Sequence, residues 1–99
     1  MFVLAVKLNA VKGKEEKLVQ SLRKAIAKVR QNEPDTLMYD MHRKIDNPTE
    51  IFLYERYKDK RAWEVTHMSA PYIKELLAEL PNYLEADAEV THYETIEVK

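Results

Sequence analysis

The chain has 99 residues, 16 basic and 17 acidic side chains, three histidines, one glycine and no cysteine, for a formal net charge of −1. That balance leaves no basic field to attract nucleic acid, and the lack of cysteine excludes disulfides, thiolate nucleophiles and Cys-ligated metals. A lone Gly13 cannot supply a G-x-G-x-x-G or Walker-type phosphate loop, so nucleotide cofactors are not expected.

The length suits a single domain over residues 1–99, able to bury about 65% of its extended-chain surface. Phe2 to Leu8 is apolar and β-branched and stops before Asn9 and the Lys12-Gly13 turn, which predicts a first strand. It lacks a basic leader or a small-residue cleavage site. No apolar run approaches the roughly 18 residues that span a bilayer. A cytoplasmic protein with no membrane partner is expected. From Lys14 to about Gln31, Leu18, Leu22, Ala25, Ile26 and Val29 recur at helical spacing. Glu15 and Glu16 suit the positive end of that helix dipole and Lys28 and Arg30 its negative end. Asn32-Glu33-Pro34-Asp35 ends the helix, since proline disfavours helical geometry in the residue before it.

Thr36 to Ile45 alternates, with Leu37, Tyr39, Met41 and Ile45 on one face and Asp40, His42 and Lys44 on the other. Asp46-Asn47-Pro48-Thr49 reads as a turn, and Ile51 to Tyr57 as a third strand forming a hairpin with the second. Asp59 can cap a helical stretch holding Ala62, Trp63 and Val65, broken after His67 by Pro71. A further helical piece runs from about Ala70 to Leu80, with Ser69 as its N-cap. Ala88 to Val98 reads as the fourth strand. The order is β-α-β-β-α-β: an α+β, ferredoxin-like antiparallel four-stranded sheet with helices on one face. Strands 1 and 3 are apolar on both faces, and helices cover only one of them. The second face therefore predicts a homodimer, the alternative being long loops folded over it.

The three histidines lie on different elements and form no i, i+4 metal pair. His42, on the polar face of the second strand, reads as solvated, and His92, sharing a strand face with Val90 and Glu94 near the end of the chain, carries little more functional signal. His67, beside Trp63 and ahead of the Pro71 break, reads either as a general base or as a satisfied, partly buried histidine. Glu55 lies between Leu53 and Tyr57 on one strand face, so it is either at an open rim or buried with a partner, His67 or an arginine. There it would orient His67 or a substrate hydroxyl, or pin helix to sheet. Phe52, Tyr54, Tyr57, Trp63, Tyr72 and Tyr83 could line a small-molecule pocket or fill core and interface. Asn9 could offer an amide at the end of the first strand, or simply form the turn.

Together, the Lys12-to-Glu16 helix entry, the Glu33-Pro34 turn before Leu37 and Tyr39, the Phe52-x-Tyr54-Glu55-Arg56-Tyr57 strand and His67-Met68-Ser69-Ala70-Pro71-Tyr72 resemble the antibiotic biosynthesis monooxygenase family. The resemblance covers nearly the whole chain. Asp35 stands where the family commonly has glycine, and the stretch from Tyr57 to His67 is one residue longer than the family pattern. Asn9 could match the asparagine of the haem-degrading branch, but Thr66 and Leu76 stand where its tryptophan and histidine would fall, which disfavours haem degradation.

The resemblance implies a dimeric α/β barrel-like assembly and oxidation of a small phenol or quinol by O₂ without metal, flavin or haem. His67 would be the base and Glu55 its orienting group. Asn9 and Tyr72 would hold substrate oxygens, with Phe52, Tyr54 and Trp63 against the ring. The competing readings are a non-oxidative small-molecule enzyme of the same fold, such as an isomerase or signal-processing relative, and a non-catalytic dimeric ligand-binding module.

Overall fold

A computed structural model describes residues 1–99. Its elements are β1 (Phe2–Asn9), α1 (Glu15–Asn32), β2 (Thr36–Lys44), β3 (Asn47–Tyr57), a π-helical turn (Ala62–His67), α2 (Pro71–Glu79), one 3₁₀ turn (Leu80–Asn82) and β4 (Glu89–Glu94). The four strands form one antiparallel sheet in the order β2-β3-β1-β4. The ferredoxin-like β-α-β-β-α-β arrangement expected from the sequence is the one observed.

The apolar periodicities place the core. On β1, Leu4, Val6 and Leu8 face the helices and pair across to Glu55, Leu53 and Ile51 of β3. Leu18, Leu22, Ala25 and Val29 of α1 pack on that face together with Ile73 and Leu76 of α2, the stripe a core-facing helix presents. Gly13 has φ +93°, a left-handed conformation that other residues rarely adopt, and its N–H donates to Glu15 Oε2 at 2.7 Å. That turn delivers the chain into α1.

Several boundaries differ from the sequence reading. Asn47 pairs with Lys44, so Asn47-Pro48-Thr49 belongs to β3 rather than to a turn, and the hairpin reverses over Ile45 and Asp46. Ile45 is thereby fully exposed instead of half-buried. Proline is tolerated there because it sits at the start of the strand. Leu37 is likewise exposed, because a register shift between Thr36 and Met38 breaks the alternation. β4 ends at Glu94, short of the Val98 expected, because β1 offers it no partner beyond Phe2.

The stretch after Asp59 is capped as expected, with Ala62 N–H donating to Asp59 Oδ1 at 2.9 Å, but it winds as a π-helix. A π-helical turn holds one residue more than an α-turn. The Met68 N–H accordingly bonds back to the Trp63 carbonyl, five positions earlier. Ser69 is not an N-cap: its hydroxyl donates back to the Val65 carbonyl, and Ala70 stands at the cap of α2 with Pro71 behind it.

Candidate active site

Between the sheet and the helices lies a cavity of about 140 Å³ whose lining is hydrophobic except for Glu55 and His67. Leu4, Val6 and Leu53 form its floor on the sheet, and Leu76 and Ile73 part of its roof.

His67 is the last residue of the π-helical turn and is 3% exposed. Its ring packs between Tyr39 and Tyr57, with both ring centroids 5.3 Å away. Its Nδ1 lies 2.8 Å from Glu33 Oε1. Glu33 caps the C-terminal end of α1, where Pro34 pushes it out of helical geometry, and it is 4% exposed. Thr36 Oγ1 donates to the same oxygen at 2.7 Å, and the Tyr72 hydroxyl donates to Oε2. Burial alone would raise the Glu33 pKa. The hydrogen bonds from His67, Tyr72 and Thr36 outweigh it and hold the carboxyl below its ordinary range.

An ionised carboxylate can only accept, so Glu33 fixes the proton on His67 Nδ1 and leaves Nε2 with a lone pair. Nε2 is turned toward Glu55, whose Oε1 lies 4.0 Å away. Glu55, on β3 opposite Leu4 and Tyr39, is 4% exposed and accepts a hydrogen bond from the Tyr57 hydroxyl at 2.6 Å. Its environment works the other way. Burial, with the Glu33 charge adding to it, raises the Glu55 pKa in spite of the Tyr57 bond and the attraction of His67. Burial and then the two carboxylates likewise push the Tyr39 hydroxyl well above its ordinary value.

Two carboxylates on opposite sides of one imidazole thus have opposed proton affinities. The carboxyl behind the ring is held in favour of its charged form, and the one on the cavity side keeps its proton to higher pH than usual. The arrangement can take a proton from a bound hydroxyl at Nε2 and stabilise the resulting imidazolium through Glu33. No group of three or more His, Asp or Glu side chains converges as a metal ion would require.

The structure brings His67, Glu55 and Trp63 of the expected site residues to the cavity. Trp63 stands toward the β4 edge, its ring 5.3 Å from Phe2 and 5.0 Å from His92. Tyr72 lies outside the cavity, in a cleft between α1 and α2 beside Ser21 and Lys24, and reaches His67 only through Glu33. Phe52 and Tyr54 are on the opposite face of the sheet, Phe52 against the His42 ring and Tyr54 beneath the Arg56 guanidinium. Asn9 ends β1 opposite Glu50, away from the cavity, and its carbonyl accepts the Glu85 N–H at 2.9 Å.

Glu33 was legible only as part of a turn. One signal marked it: a carboxylate at the negative end of a helix dipole is unfavourable and needs a partner to be kept there.

Residues 1–79 match the antibiotic biosynthesis monooxygenase family. No curated protein matches the chain. Among solved structures, a Deinococcus radiodurans protein provisionally named an antibiotic biosynthesis monooxygenase is 24% identical, with a TM-score of 0.88 over 100% of this chain and 96% of its own. Rv0793 from Mycobacterium tuberculosis is 21% identical, with a TM-score of 0.90 over 98% of this chain and 96% of its own. At these identities the likeness carries the fold alone.

Proposed function

Because this chain belongs to the antibiotic biosynthesis monooxygenase family, we propose that it is a monooxygenase that oxidises a small electron-rich phenol or quinol with O₂, using no bound cofactor. The observation that carries this reading is the His67 imidazole, braced at Nδ1 by buried Glu33 and open at Nε2 toward an apolar cavity.

A substrate hydroxyl seated between Nε2 and Glu55 donates its proton to His67. Where Glu55 carries its proton, which burial makes it hold to higher pH than an ordinary carboxyl, it donates a hydrogen bond to the phenolate oxygen that remains. In an apolar surround the phenolate has few donors to hold it, so its electrons are available to O₂. One-electron transfer gives a phenoxyl radical and superoxide, which recombine at a ring carbon as a peroxide. Loss of water leaves one oxygen atom on the ring. For a hydroquinone the balance is hydroquinone plus O₂ to hydroxyquinone plus water, the substrate supplying all four electrons. Turnover in ¹⁸O₂ is expected to place one labelled atom in the product. Equal turnover under nitrogen would instead favour a non-oxidative enzyme.

The same reading includes a homodimer formed through the free face of the sheet. Phe52 and Tyr54 are only partly covered there, and Tyr93 and Val98 are exposed. The accessible surface is 6578 Å², against about 5,900 Å² for a compact monomer of this size. No helix is long and apolar enough to cross a membrane.

A further inference from the structure

The cavity has a direction. Glu55 and His67, 4% and 3% exposed, lie toward the β2-β3 side of the sheet, whereas Leu77 and Val90, which line the same cavity, are 46% and 49% exposed. Val90 is on the edge strand β4, opposite Val6 of β1. From β4 to β3 is two strand spacings, about 10 Å. The closed end is polar and the open edge is apolar.

From this geometry we infer that the site takes a single-ring, uncharged phenol or hydroquinone, inserted hydroxyl-first past Leu77 and Val90, and rejects fused-ring and anionic analogues. The inference rests on the oxygenase reading only for the choice of an oxygen-bearing ring; the size, charge and orientation come from the cavity. Its volume of about 140 Å³ is close to the ~150 Å³ of apolar cavities that hold benzene, and a second fused ring has no room without displacing packed side chains. No lysine or arginine lines the cavity; its ionisable groups are a carboxyl group and an imidazole backed by a second carboxylate, and the Tyr39 hydroxyl and Trp63 indole N–H of the side chains that also line it are neutral. A ring carboxylate would therefore be buried beside a second carboxyl group with no lysine or arginine to offset its charge. A substituent para to the inserted hydroxyl would emerge at the β4 edge, so substitution is tolerated there and not along the ring's flanks.

Trp63 lines the cavity and is the only tryptophan in the chain, so its fluorescence reports occupancy without turnover. Under nitrogen, the intact protein is titrated with methylhydroquinone, 1,4-naphthohydroquinone, anthrone and 2,5-dihydroxybenzoate, with calorimetry as a second readout. Methylhydroquinone is expected to bind at least about tenfold more tightly than each of the others. Leu77→Ala, at a half-exposed position, should raise affinity for the naphthohydroquinone, and Val90→Phe should weaken methylhydroquinone binding. The inference is overturned if anthrone or dihydroxybenzoate binds as tightly as methylhydroquinone, or if methylhydroquinone does not bind at all. Oxygen uptake is read separately. Binding in the expected order without oxygen consumption would sink the oxygenase reading and leave this one standing, while oxidation of anthrone without methylhydroquinone binding would do the reverse.

Discussion

His67 Nδ1 and Glu33 Oε1 meet at 2.8 Å across 34 positions of sequence, joining the π-helical turn to the end of α1. Both side chains are almost wholly buried, so the contact sets which imidazole nitrogen carries the proton. Glu33→Gln keeps the shape and removes the charge, and an amide offers a donor to Nδ1 that can reverse the tautomer. Oxygen consumption should fall about a hundredfold or more in kcat, with a smaller change in KM. The ¹⁵N chemical shifts of the His67 ring should report the changed protonation.

Stability should respond to pH in opposite directions at the two carboxylates. Glu33 has a folded pKa below its ordinary 4.5, so its contribution is present above that value and is lost as pH falls through the folded pKa. Glu55 has a folded pKa above 4.5, so the fold gains from its proton at low pH and loses stability as pH rises through the folded value. Glu55→Gln, which preserves an acceptor for the Tyr57 hydroxyl, should therefore stabilise the protein at neutral pH, and the gain should vanish toward pH 4. Glu33→Gln should destabilise it at neutral pH by about 1–3 kcal/mol, a loss that shrinks in acid. Urea melts between pH 4 and 8 read both effects.

Tyr72→Phe removes one donor from Glu33 without touching the cavity. A tyrosine that held substrate oxygen would change KM when its hydroxyl is lost. Here the expectation is an unchanged KM, a several-fold lower kcat, and about 1 kcal/mol less stability by denaturant titration.

Phe52→Glu places a charge on the partly covered face of the sheet, beside His42 and away from the cavity. Light scattering after size exclusion should show the parent as a dimer and the variant as a monomer, because a buried unpaired carboxylate in an apolar interface is costly.

The framework was legible because α1 and the strands carry clean periods, and burial of one face is what those periods encode. The boundaries that moved did so through tertiary effects that local composition does not register. Pro48 was drawn into β3 by pairing, and the stretch after Asp59 wound as a π-helix. Half of the site was readable as well. Glu55 shares its strand parity with Leu53 and Tyr57, which already sets Phe52 and Tyr54 on the other face, so grouping Phe52 and Tyr54 with Glu55 in one site ran against the two-residue period. The partner of His67 was hidden because its element, a helix C-terminus followed by proline, looks like a turn. Only the packing of α1 against the π-helical turn brings Glu33 to the ring.

Oxygen-electrode measurement of methylhydroquinone oxidation by the parent and by a folded His67→Ala variant tests the central claim most directly. The account predicts enzyme-dependent uptake of one O₂ per hydroxyquinone formed by the parent, and a loss of about a hundredfold or more in the variant. Equal rates in parent and variant, or a parent no faster than autoxidation, would contradict it.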